Sequence, residues 1–147
     1  WSRCRCGTPG WRSTQRSLSA NPSAKAVSVV AETKNEVIGL AMVSEITPEY
    51  DYEPFDVSRY SHELLVLQVA PVWQRRGVGR RLLSRIADEL GREKATHLLV
   101  RVLVNNPNVV FYERLGAIRI GKRPYAWEGY ETEEILLGWE DIGTLRK

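Results

Sequence analysis

An apolar run of strand length stops at a proline, a glycine turn follows, and an amphipathic helix begins. This order restricts the fold of the chain more than any other feature. The run is Glu63-Leu64-Leu65-Val66-Leu67-Gln68-Val69-Ala70, closed by Pro71. The turn is Gln74-Arg75-Arg76-Gly77-Val78-Gly79, and Val78, Leu82, Leu83, Ile86, Ala87 and Leu90 fall on one face of the helix after it. Strand, turn and helix in that order gather backbone N–H groups and a helix N-terminus around one point, which attracts phosphate. Arg75, Arg76, Arg80 and Arg81 add positive charge there. The segment reads as a binder of a polyphosphate group.

Spacing removes two common ligands. A dinucleotide fingerprint needs a third glycine where this chain has Leu82, and a P-loop needs a Gly-Lys-Ser/Thr ending that is absent. What remains, Gln-x-x-Gly-x-Gly after a strand, resembles motif A of the GNAT superfamily of acyl-CoA-dependent N-acetyltransferases. A second segment strengthens the likeness. Leu98 to Val104 reads as a strand interrupted by Arg101, followed by Asn105-Asn106-Pro107-Asn108-Val109-Val110-Phe111-Tyr112-Glu113-Arg114-Leu115-Gly116-Ala117. Here Asn106 can cap a short helix, Pro107 suits its first turn and Gly116 the position past its end. The run Asn-x-Pro-x-x-x-x-Tyr-Glu-x-Leu-Gly is similar to motif B of the same family. The resemblance covers about residues 25–140. It implies an α/β GNAT fold, a mixed central β-sheet with flanking helices whose N-terminal elements are incomplete.

The resemblance also implies roles. Acetyl-CoA is the expected co-substrate, with its pyrophosphate on the amides of Gln74, Arg75, Arg76, Gly77, Val78, Gly79 and Arg80. The end of the strand before the turn is expected to splay from its neighbour, so that N–H groups of Val69 and Ala70 bind pantetheine and polarise the acetyl carbonyl. Asn105 is either a contact to the pantetheine arm or a simple turn residue. Tyr112 is expected to face the sulfur and protonate the departing thiolate; the alternative is an aromatic that packs the short helix beside Phe111.

Glu63 is the second catalytic candidate. It is the only acid in its apolar run, hence partly desolvated, and it lies eleven residues before Gln74, where the histone-acetyltransferase branch of the family has its base. The alternative is a solvated acid at a strand entrance. Strict alternation places Glu63, Leu65, Leu67 and Val69 on one face and His62, Leu64, Val66 and Gln68 on the other. His62 and His97 are expected as surface or satisfied core histidines.

Charge sets further bounds. Residues 1–31 hold Arg3, Arg5, Arg12, Arg16 and Lys25 and no acid, while the rest of the chain is nearly neutral, with 16 basic and 18 acidic residues. Nucleic acid is therefore not expected as a partner of the domain surface. Cys4 and Cys6 are too close for an ordinary disulfide, and with only two histidines no metal is expected. No stretch approaches the roughly 20 apolar residues of a membrane span. A cytoplasmic location follows, or an organellar one if the Arg- and Ser-rich start is the remnant of a transit peptide.

Residues 1–24 form a basic N-terminal segment, with 1–10 disordered and 11–20 a weak helix; a domain truncated upstream is favoured over the transit-peptide reading. Residues 25–147 form the acetyltransferase domain. Strands are expected at 26–32 and 36–46, joined by Thr33-Lys34-Asn35, with Gly39 marking a bulge or a close approach. Then come strand 62–70, helix 77–91, strand 97–104, helix 107–115, and strands 117–122 and 133–140. The loops 48–60 and 123–134 are rich in aromatics and acids. Asp51, Glu53, Asp56, Glu128 and Glu131 either favour a cationic acceptor or are ordinary solvated groups.

The reading is acetyl transfer from acetyl-CoA to a primary amine, of a small molecule or a protein, by direct attack in a ternary complex; a homodimer is compatible with it. The alternative is a noncatalytic acyl-CoA-binding or sensing module. A weaker third reading has the basic arm contacting nucleic acid.

Overall fold

The computed structural model describes residues 10–16, 24–34 and 36–147. Seven strands form one sheet: β1 (Gly10–Arg16), β2 (Ala26–Glu32), β3 (Val37–Glu45), β4 (His62–Val69), β5 (Leu98–Leu103), β6 (Ile118–Trp127) and β7 (Tyr130–Trp139). Their order is β1-β2-β3-β4-β5-β7-β6. Every neighbouring pair is antiparallel except β4 and β5, which are parallel. Parallel neighbours need a crossover, and α1 (Val78–Arg92) supplies it; α2 (Val109–Arg114) follows β5.

Helix α1 forms because its apolar residues recur at helical spacing. Val78, Leu82, Leu83, Ile86, Ala87 and Leu90 are all buried against one face of the sheet, together with Val27, Val29, Ile38, Val43, Leu64 and Val100. Burying each larger aliphatic side chain contributes about 1.5–3 kcal/mol, so this face holds most of the core's stabilisation. The other face carries a smaller cluster, in which Tyr52 and Tyr60 from the 47–61 loop cover Leu99 and Leu136. Two glycines let the loop lie close: a Cβ at Gly121 would sit 2.1 Å from Phe55, and one at Gly138 would sit 2.4 Å from Tyr60.

The expected strands and helices from residue 26 onward are present, and the fold departs from expectation in four places. Residues 10–16, expected as the end of a disordered start (residue 10) and part of a weak helix (11–16), are strand β1, paired with β2 from Gly10↔Glu32 to Arg16↔Ala26. Trp11 and Thr14 suit a strand, and the ladder offered by β2 outweighs a marginal helix preference. Residues 1–9 and 17–23, which include the expected disordered start and Cys4 and Cys6, lie outside the described residues. Next, the expected 123–134 loop is strand apart from residues 128–129. β6 and β7 form one long hairpin whose two-residue turn, Glu128-Gly129, has φ of 47° and 81°, as a type I′ turn requires. Pro124 is tolerated because β6 is an edge strand.

Third, the short helix starts later than expected. Asn108 stands at its N-cap, and Asn106 instead accepts a hydrogen bond from the Asn108 N–H through Oδ1 at 2.9 Å, making a turn before the helix. Gly116, with φ of 94°, does end it. Fourth, β4 does not alternate strictly. Met42 pairs with Val66 and Val43 with Leu64, so Leu65 is an extra, bulged residue. Past the bulge the faces exchange: Leu64, Leu67 and Val69 all pack toward the α1 core, while Glu63 faces the Tyr52 cluster. Glu63 therefore does not share a face with Leu67 and Val69. Gly39 combines both of its expected roles. The β2–β3 register shifts beside it, and a Cβ there would meet Leu82 at 3.0 Å and the Gln68 carbonyl at 3.2 Å.

Candidate active site

β4 and β5 pair only through His62↔Leu98, Glu63↔Leu99 and Leu64↔Val100, although β4 runs to Val69 and β5 to Leu103. Beyond Leu64 the strands part and leave a wedge. The Ala70 N–H does not face it, because it donates to the Ile38 carbonyl at 2.8 Å. That bond makes Gly39 and Val69 a non-hydrogen-bonded pair, so Val69 turns its N–H and carbonyl away from β3 and toward the wedge. Of the two residues expected to offer an N–H, the ladder thus assigns Val69 and withdraws Ala70. Gln74 holds the turn to this strand end: its Nε2 donates to the Val69 carbonyl at 3.0 Å.

The turn itself is shaped for exposed amides. Arg75 has φ of 61°, and Gly77, the N-cap of α1, has φ of 80° and no side-chain cap. The first helical N–H groups therefore keep their capacity to hold an anion. Gly79 is where three segments meet. A Cβ there would lie 3.3 Å from Phe111 Cζ and 3.8 Å from Val69 Cγ2. The end of β4, the start of α1 and helix α2 therefore converge within van der Waals contact of one residue. Two of the four arginines have protein partners: Arg76 lies over the Trp73 ring at 5.3 Å, and Arg80 donates to the Lys147 carbonyl at 2.7 Å. All four are exposed.

Tyr112 is 5 % exposed, and its ring meets Trp139 and Phe111 edge-on with centroids 5.8 and 5.5 Å away. The packing reading is seen in the ring, and the hydroxyl has no hydrogen-bond partner among the described residues. Burial pushes the phenol up to about 12, so it stays protonated throughout the neutral range. Asn105 is exposed, in the turn that leaves β5.

Glu63 has other company. It is 3 % exposed, and both of its oxygens are engaged: Arg101 Nε donates to Oε1 at 2.6 Å, while Arg101 Nη2 and the Tyr52 hydroxyl donate to Oε2 at 3.2 and 2.5 Å. Arg101 also lies 5.1 Å above the Tyr52 ring. A guanidinium fork and a phenol thus occupy both carboxylate oxygens within the fold. The geometry favours a structural role over a base.

The same face carries a second buried ion pair, Arg123 with Glu134, at 2.6 Å. Arg123 also donates to the carbonyls of Glu53 and Asp51 at 2.8 and 2.9 Å, tying the 47–61 loop to the β6–β7 hairpin. Arg101, Tyr52, Arg123 and Glu134 were not singled out from the sequence. The charge of Arg101 inside an apolar strand was a usable signal for a buried partner. The Arg123–Glu134 pair was visible only through the register that sets them opposite each other.

The acidic loop lines an open, shallow pocket of about 550 Å³ whose residues include Glu49, Tyr50, Asp51, Tyr52, Glu53 and Asp56. Two of these acids serve the loop backbone: Asp51 accepts from the Glu53 N–H and Asp56 from the Ser58 N–H, both at 2.9 Å. The bonds from Ser58 hold the Asp56 carboxyl below its usual range. Glu128 and Glu131 lie at the tip of the hairpin instead.

His97 sits edge-on to Tyr60 and within 2.7 Å of the Thr96 hydroxyl, a satisfied histidine as expected. His62 differs. It is 5 % exposed, and its Nε2 is buried without a hydrogen-bond partner, so the expectation of a surface or satisfied core residue fails.

Comparison with known proteins agrees with the fold. The family model for the acetyltransferase (GNAT) domain matches residues 24–116. An uncharacterized N-acetyltransferase of Bacillus subtilis, YuaI, is 29 % identical over 124 residues, covering 84 % of this chain and 68 % of its own length. Two solved structures share the fold. One is yncA from Salmonella typhimurium with its cofactor acetyl-CoA: TM-score 0.60, 24 % identity, 80 % of this chain and 65 % of that one. The other is the ribosomal-protein-S18-alanine N-acetyltransferase of Escherichia coli: TM-score 0.59, 21 % identity, 77 % of this chain and 67 % of that one.

Proposed function

The chain belongs to the GNAT acetyltransferase family, and from that footing we propose that it transfers an acetyl group from acetyl-CoA to a primary amine by direct attack in a ternary complex. The observation that carries this reading is the convergence at Gly79 of the β4 end, the anion-binding turn and α2. It brings the turn of exposed amides, the strand end that carries Val69 and the helix that carries Tyr112 to one place, which supports an acetyl-CoA site there.

In this mechanism the amides of residues 74–80 hold the diphosphate. Val69 N–H hydrogen-bonds the acetyl carbonyl oxygen, where negative charge develops as the amine attacks. The C–N bond forms and the C–S bond breaks; Tyr112 gives its proton to the departing thiolate and regains one, through water, from the nitrogen of the new amide. With Glu63 committed to Arg101 and Tyr52, the ammonium proton passes to water before attack. The acids around the loop pocket favour an acceptor that arrives as a cation, either an alkylamine or a peptide amine.

Calorimetry with acetyl-CoA, followed by turnover with a panel of alkylamines and peptide amines, tests the reading. Saturable binding that disappears in Gly79→Leu, with thermal stability retained, is expected. If folded protein gives no heat with acetyl-CoA, the proposal fails. Tight binding with no acetylation of any amine would instead establish the noncatalytic acyl-CoA-binding reading.

A further inference from the structure

We propose that Glu45, His62 and Glu93 bind a divalent transition-metal cation of the zinc class at the end of the sheet remote from the acyl-CoA turn. The three residues come from three elements that the fold brings to one corner. Glu45 ends β3, His62 begins β4 directly opposite it in the ladder, and Glu93 is the C-cap of α1. One ligand atom of each lies within 4.8 Å of the others.

The independent observation is the state of His62. Its side chain is 6 % exposed, and Nε2 is buried beside Glu93 with no hydrogen-bond partner among the described residues. The distance from Nε2 to Glu93 Oε2, 3.6 Å, is too long for a hydrogen bond. A bare nitrogen buried beside a carboxylate is unfavourable by itself, and a cation among the three groups removes the conflict. The other ring nitrogen, Nδ1, lies 2.8 Å from the Ser61 hydroxyl, which fixes the ring as the outer partners of metal-bound histidines do. Glu45 is oriented in the same manner, since its Oε2 accepts from the Lys25 backbone N–H at 3.1 Å.

The donor set selects the metal. One imidazole nitrogen with two carboxylates suits zinc and its neighbours, whereas calcium and magnesium prefer oxygen alone. Bonds of about 2.1 Å set tetrahedral ligands about 3.4 Å apart, close to the His62–Glu93 separation. Glu45, half-buried on a flexible stem, closes the remaining gap by rotating its carboxylate, and the exposed side is left to water. β4 is 8 residues long, which puts this corner roughly 25 Å from the acyl-CoA turn and makes the cation a pin for α1, β3 and β4.

The test uses the full chain carrying Cys4→Ser and Cys6→Ser, stripped of metal and titrated with Zn²⁺ by calorimetry and thermal denaturation. One equivalent of saturable binding and a rise in Tm are expected. Glu45→Gln with Glu93→Gln should weaken the affinity at least tenfold while leaving the metal-free Tm and acetyl-CoA binding near those of the parent. Co²⁺ should give a ligand-field spectrum that the same pair of substitutions removes. No saturable uptake of Zn²⁺, or uptake indifferent to the two substitutions, would overturn the proposal.

Discussion

In the proposed mechanism, the proton donor is a single group, the Tyr112 hydroxyl. The ring is locked by Phe111 and Trp139, so the hydroxyl is positioned by packing and not by a hydrogen bond. Tyr112→Phe keeps the packing and removes only the proton donor. Turnover should fall by about 10²–10⁴-fold with acetyl-CoA affinity nearly unchanged, as steady-state kinetics and calorimetry would show. Equal turnover would leave Tyr112 a packing residue alone. Glu63 shows how far reasoning from one residue reaches. Its burial was legible, since a lone acid in an apolar run must be desolvated or paired. Its partner was not, because Arg101 lies 38 residues away and meets it only where β4 and β5 run side by side.

Between elements, the coupling that matters joins β5 to the 47–61 loop. Tyr52 reaches across to Glu63, Glu63 holds Arg101, and Arg101 lies over the Tyr52 ring, so the loop is fastened to the sheet through one closed set of contacts. Arg101→Met removes the cation and leaves a buried carboxylate without its ion-pair partner. Destabilisation of about 3–5 kcal/mol is expected, measurable by urea denaturation. Pairing it with Glu63→Gln should recover part of that loss; no recovery would mean that Arg101 acts through packing alone. The bulge at Leu65 belongs to the same scale. One extra residue turns Leu67 and Val69 onto the α1 face and sets Val69 beside Gly79.

For the whole molecule, buried phenols set an upper limit on pH. Burial raises Tyr112 to about 12 and also raises Tyr60; Tyr52 goes up through burial and its bond to Glu63. Each folded value lies above the value of about 10 in the unfolded chain. The unfolded state therefore loses these protons first, and stability that is complete below about pH 10 declines as pH rises toward 12. Thermal melts from pH 8 to 12 should show this fall, and Tyr112→Phe should make it shallower. An unchanged slope would remove Tyr112 from the account.

The chain alone determined the parts governed by local physics. The apolar runs, the helical spacing of Val78 to Leu90, the glycine turn and the Gly116 stop are each written within a few residues, and together they specify the βαβ unit and the turn that opens its helix. Two local preferences were weak enough to mislead: residues 10–16 took the ladder offered by β2, and Pro124 did not interrupt an edge strand. Tertiary structure alone decided which groups meet. The early parting of β4 from β5, the Leu65 bulge, the Glu63–Arg101 pair and the corner of Glu45, His62 and Glu93 all depend on strand register and the crossover by α1. Those relations join residues distant along the chain, so no local pattern records them.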